Sequence, residues 1–116
     1  MKYLMLHYID EAILSWNSDG HEVTDPEEDR AINAWDAEML ARGILVGGAV
    51  LRPTWETATL RERDGELLVS DGPYAETKEQ IAGYCVLECA SRDEAIEIAS
   101  RHPTVRIGTF ELRQIV

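Results

Sequence analysis

In the stretch Asp71-Gly72-Pro73-Tyr74-Ala75-Glu76-Thr77-Lys78-Glu79-Gln80-Ile81-Ala82-Gly83-Tyr84, a backbone break is followed by a polar loop and then by an apolar run. Gly72 has access to backbone angles closed to other residues, and Pro73 fixes its own φ and lacks an N–H. Pro73 also steers Gly72 away from helical geometry. An Asp before such a turn can accept hydrogen bonds from backbone N–H groups just beyond it. A strand ending near Ser70 is therefore expected to turn sharply here, and Ala82 to Cys89 to run as the next strand. Between them Tyr74, Glu76, Lys78 and Glu79 place polar groups on a loop held at its entry, where binding residues often sit. The same residues would equally serve as a solvated connection whose Asp and Gly only make the turn.

Upstream of the break, Asp64-Gly65 is a two-residue hairpin signal between Thr57–Arg63 and Glu66–Ser70. Before it, Ile44 to Leu51 reads as a strand ended by Pro53, and its Gly47-Gly48 pair marks a bulge or a close approach. A helix precedes that strand. Thr24 or Asp25 can cap it, Pro26 suits its first turn, and Glu27 and Glu28 meet its positive end. Ala31, Ile32, Trp35, Met39 and Leu40 form its apolar stripe, and Gly43 stands where a C-terminal cap belongs. Trp35 is read as core, with a pocket wall as its alternative place. The first strand is Lys2 to Ile9, with Leu4, Leu6 and Tyr8 on one face and Tyr3, Met5, His7 and Ile9 on the other. Residues 10–24 read as loop, in which Trp16 must pack somewhere and His21 is solvated.

Downstream, Ser91 caps a second helix with Glu94 completing a capping box. Arg101 and His102 fall in its last turn, where His102 reads as a capping residue with a site role as its alternative, Pro103 stops it, and Arg106 to Val116 is the closing strand. With the hairpin set aside, the order is βαββαβ, the ferredoxin-like α+β arrangement. Two helices cover one face of such a sheet, yet both faces of the first strand are largely apolar. The second face is expected to pack on another sheet across a two-fold axis, giving a homodimer of α/β-barrel-like form.

The 116 residues suit one domain, 1–116, with a core of its own. Asp and Glu outnumber Lys and Arg by 22 to 11, a formal charge of −11. That charge repels phosphate backbones and excludes nucleic acid as a partner. Cys85 and Cys89 lie four apart in a strand, two pleats from each other, so they read as buried free thiols of a reducing compartment, the cytoplasm. No apolar run is long enough to span a bilayer, and no signal peptide is expected. No metal-ligand spacing, phosphate loop or nucleophile elbow is present, so no cofactor and no metal are expected.

The run Asp71 to Gln80, closed by Gly83-Tyr84, resembles the signature of the DGPF branch of the YCII-related family. The usual Phe at its fourth place is Tyr74 here. Lys2-Tyr3-Leu4-Met5-Leu6, Gly47-Gly48 before Leu51, and Glu111-Leu112-Arg113 match in order, so the resemblance spans nearly the whole chain. It implies a dimeric ferredoxin-like fold with a pocket. The wider family looks like one with a His–Asp pair whose His lies on the first helix, and the first helix here carries no His.

Two functions are expected as alternatives. One is a cofactor-free enzyme acting on a small organic molecule by proton transfer, as in elimination or isomerisation. Asp71 would be its general acid or base and His7 the proton partner, with Arg113 holding an anionic group, Tyr74 and Lys78 donating hydrogen bonds and Trp35 in the wall. The other is a non-catalytic ligand- or protein-binding accessory module. DGPF-branch relatives resemble modules near or fused to sigma-factor-like regulators, which implies a regulatory role.

Overall fold

The computed structural model describes residues 1–116. Its strands are β1 (Lys2–Ile9), β2 (Ser15–Trp16), β3 (Glu22–Val23), β4 (Leu45–Val50), β5 (Ala58–Arg63), β6 (Glu66–Asp71), β7 (Gln80–Glu88) and β8 (Thr109–Gln114). The helices are α1 (Pro26–Ala41) and α2 (Arg92–Ser100), with short 3-10 turns at Glu11–Ile13, Thr54–Glu56 and Pro103–Arg106. The main sheet has the order β4-β7-β1-β8 and is antiparallel throughout, which with α1 and α2 is the ferredoxin-like α+β fold. It is an open sheet. The β5–β6 hairpin is inserted between β4 and β7, joined through Asp64-Gly65, with Asp64 at φ 53° and Gly65 at φ 77°.

Local chemistry accounts for the element ends. Asp25 accepts from the Glu27 N–H at the start of α1, and Pro26 occupies the first turn, as the sequence predicts. Ser91 accepts from the Glu94 N–H to start α2. Residues 10–24 differ from the expected plain loop: Ser15–Trp16 pairs with Glu22–Val23 as a miniature hairpin. The Asn17 side chain accepts from the Asp19 and His21 N–H groups and closes it.

The core lies between the sheet and the two helices. Met5, Met39, Leu87 and Ile98 are fully buried there, and Tyr3, Trp35, Ile44, Ala95 and Ala99 complete it. Each large side chain so buried contributes about 1.5–3 kcal/mol relative to an exposed one. Cys85 and Cys89 belong to the same core as free, buried thiols. The Gly47-Gly48 pair sits at a register shift in β4. A Cβ on Gly48 would stand 2.6 Å from the Tyr84 carbonyl oxygen, so only glycine lets the two strands approach here.

The opposite face of the sheet carries no helix. Leu4 faces Val86 and Arg113 across the strands, and Leu6 faces Tyr84 and Glu111. These four apolar or aromatic residues remain only half-buried.

Candidate functional site

Two hollows flank the 10–24 segment, and they differ in chemistry. The larger, about 900 Å³, lies on the helix side, between α1, β4, β7 and the β2–β3 hairpin. The smaller, about 680 Å³, is a polar groove beside the 71–80 loop. Trp16 lines the first and Trp55 the second, and the two indoles meet edge to face at 5.5 Å.

The larger cavity holds the histidines. The alternation of β1 sends His7 to the helix side together with Tyr3, Met5 and Ile9. Its ring stacks on Phe110 at 4.4 Å and meets the edge of His102 at 5.0 Å. His102 in turn lies 4.8 Å from Trp35. The His7 Nε2 is buried without a hydrogen-bond partner, as is the Trp16 indole N–H. Burial pushes His7 down to about 4, and burial together with the neighbouring His7 does the same to His102. Both rings are therefore neutral at pH 7. The Nδ1 of His102 accepts from the Thr104 N–H, which assigns its proton to Nε2.

His102 is a capping residue, as expected, but it caps the turn after α2 rather than the end of α2 itself. It is 4% exposed and starts the 3-10 turn that follows α2. Trp35 is core: it is buried, and its indole N–H donates to the Ile98 carbonyl. His21 is exposed, as predicted, at the rim of the larger cavity.

Sequence reasoning missed Asp36. On α1, Asp29, Ile32, Asn33, Asp36 and Leu40 recur at three- and four-residue spacing and line the cavity, beside the stripe of Trp35 and Met39 that enters the core. Asp36 is half-buried, and burial raises its carboxyl. The signal was an acidic residue at the helical spacing of an apolar stripe.

The groove beside the loop contains Asp71, Lys78, Glu76 and Gln80. Asp71 and His7 thus line different hollows, and the structure does not bring them together. Asp71 is exposed, and its carboxylate accepts no hydrogen bond, contrary to the expected side-chain brace. The turn is held through Gly72 instead. Gly72 has φ 91°, its N–H donates to the Thr57 carbonyl at 2.7 Å, and its carbonyl accepts from the Thr59 hydroxyl at 2.7 Å. Beyond it, the Gln80 amide donates to the Ala75 carbonyl and pins the loop. Tyr74 is 79% exposed. Arg113 lies on the uncovered sheet face with Tyr8 and Glu111, and the adjacent Glu111 carboxylate raises the Tyr8 hydroxyl. Arg113 and the His7 cavity are therefore on opposite sides of the sheet.

No group of three or more His, Cys, Asp or Glu side chains is arranged to hold a metal ion. No helix is long and apolar enough to cross a membrane.

The chain is similar to an uncharacterized protein of Rhizobium meliloti (strain 1021), 38% identical over 120 residues that span 99% of this chain and 92% of the relative. The description of the YCII-related domain matches residues 1–116. By both likenesses, the chain belongs to the YCII-related domain family.

Proposed function

We propose that this chain is a pocket protein that moves a proton on a small organic molecule without a cofactor, as in an elimination or isomerisation, inside the helix-side cavity. The observation that carries this reading is the His7 imidazole, neutral and with an unpaired Nε2, in the wall of a cavity of about 900 Å³. A buried polar atom with unspent hydrogen-bonding capacity costs stability, and such groups cluster at functional sites. His7 is the acid–base group. Asp36 is a half-buried carboxylate of the same cavity, and His102 positions the His7 ring from its edge. A substrate that develops negative charge beside His7 raises its pKa toward the working pH. Asp71 and Lys78 would act on a molecule seated in the neighbouring groove, whose lining does not include the exposed Tyr74. Their run supports the DGPF branch within the family.

The active form in this reading is a homodimer of single 1–116 domains. Leu4, Leu6, Tyr84 and Val86 supply the apolar sheet face that a second copy would cover. Sedimentation at micromolar concentration should give twice the chain mass, and a clean monomer would remove the dimer from the proposal. Two buried free thiols support a reducing compartment, the cytoplasm.

A second reading is favoured by one specific observation. Histidines held at about 4 are weak bases near neutral pH, which suits a module that binds a ligand without turning it over. Deuterium incorporation separates the two. The protein is incubated in heavy water with a panel of small ketones, lactones and aminoketones, and exchange is followed by NMR. The enzyme reading expects exchange that His7→Gln abolishes and Asp71→Asn leaves intact. Binding at the cavity with no exchange across the panel would leave the accessory module in its place.

A further inference from the structure

The walls of the helix-side cavity are not electrically balanced. Four carboxylates line it: Glu22 on β3, and Glu28, Asp29 and Asp36 on α1. None of the four takes part in any of the chain's five salt bridges, which use Glu38, Glu56, Glu88 and Glu97. No lysine lines the cavity. Its one guanidinium, Arg52, is already engaged, by the Glu56 carboxylate at 2.9 Å and by the Asp19 carbonyl. Asp29 accepts from the Thr24 hydroxyl, a neutral donor, and with Glu28 lies in the first turn of α1, whose positive end offsets part of their charge but supplies no cation. Burial, and then the neighbouring Glu28 and Asp29, raise Glu22, as expected where like charges crowd without a counter-ion. The same cavity is also lined by the apolar side chains of Ile32 and Leu45, and at its open edge by the exposed Leu40 and Val50.

We infer that this cavity takes a ligand with a cationic head and an apolar body, a primary ammonium on a hydrocarbon or aryl skeleton, and rejects anions. The inference rests on the assignment of the cavity as the binding site, and it replaces the anionic substrate that a role for Arg113 would imply. The ammonium would sit against Glu22 and Asp29 near the hairpin, where three donors can meet several carboxylate oxygens. The apolar body would lie along Ile32 and Leu45 toward His7. Anions would meet four like charges and no free cation, a strong specificity device.

The test uses three near-isosteric probes, 3-phenylpropylamine, 3-phenylpropanol and 3-phenylpropanoate, titrated into the full chain by calorimetry. The Trp16 indole and His7 ring resonances are followed in parallel, since they report whether the cavity is occupied. The amine should bind about tenfold or more tighter than the alcohol, with the carboxylate weakest, and should shift both resonances; tenfold corresponds to 1.4 kcal/mol. The double variant Glu22→Gln, Asp29→Asn should lose about that factor for the amine and leave the alcohol unchanged. If the alcohol or the carboxylate binds as tightly while shifting Trp16 and His7, the ligand class is overturned and the cavity stands as the site. If the amine binds and neither resonance moves, it sits on the acidic surface and the inference fails. If no probe moves either resonance at millimolar concentration, the inference and the site assignment fall together.

Discussion

The 71–80 loop and the helix-side cavity divide the molecule's information in opposite ways. The loop concentrates recognisable residues in one run, yet its Asp71 and Tyr74 are exposed and the loop is held mainly by backbone and amide hydrogen bonds. The cavity assembles His7, Asp36 and His102 from β1, α1 and the turn after α2, far apart in the chain, and there burial shifts all three. A contiguous motif here encodes a turn that connects a hairpin to a central strand. The groups whose proton affinity the fold has altered are scattered. What makes a residue chemically unusual is its desolvation, which depends on packing rather than on sequence neighbours.

The contrast can be broken most forcefully at His102. Its ring touches Trp35, His7 and Phe110 and caps the Thr104 N–H, so His102→Ala should cost about 2–4 kcal/mol in urea unfolding. A cost under about 0.5 kcal/mol would mean the cluster is not packed as described.

Acid titration comes next. An unfolded His titrates near 6.5, whereas His7 and His102 titrate at about 4 in the fold. Between these values the unfolded chain binds more protons, so stability is fully present above pH 6.5 and is lost as pH falls toward 4. For the pair the loss should be on the order of 2–4 kcal/mol, after a discount for the partly exposed His7. His7→Gln should flatten the curve in that window. An unchanged curve would show that His7 titrates as a solvated group.

Gly72 tests the loop itself. Its φ of 91° is closed to side chains, so Gly72→Ala should cost about 1–2 kcal/mol, measured by thermal or urea unfolding. Asp71→Asn and Asp71→Ala, one residue earlier, should each stay within about 0.5 kcal/mol, the range of ordinary surface changes. If Asp71→Ala costs more than Gly72→Ala, the side chain rather than the backbone holds the turn.

Much of the fold was legible because its decisive residues act locally. Asp25 and Pro26, Ser91, Asp64-Gly65 and Gly72-Pro73 impose caps and turns through their own backbone or side chains, and all mark real boundaries. The β4 bulge was legible from Gly47-Gly48 for the same reason. The β2–β3 hairpin was missed because its two-residue strands have no periodicity to detect and are closed by the Asn17 side chain. At the site, His7 was within reach of sequence reasoning through strand alternation. The separation of Asp71 from it was not, because it is set by how distant elements pack: Asp71 lines the groove with Trp55, and His7 the cavity with Trp16. His102 reads as a capping residue at the end of α2, and only the packing of Trp35 and Phe110 around it reveals a neutral, buried ring that caps the next turn instead.

The central claim is that the cavity around His7, not the groove around Asp71, is where this protein meets its ligand. Imidazole nitrogen and carbon resonances, recorded from pH 3.5 to 8 with and without a bound small molecule from the exchange or amine panels, test it most directly. The account predicts a His7 titration near 4 in the free protein, which moves upward or disappears on binding, and an identical response in Asp71→Asn. A His7 that titrates near 6.5 and ignores every ligand, while resonances of residues 71–80 shift, would contradict it.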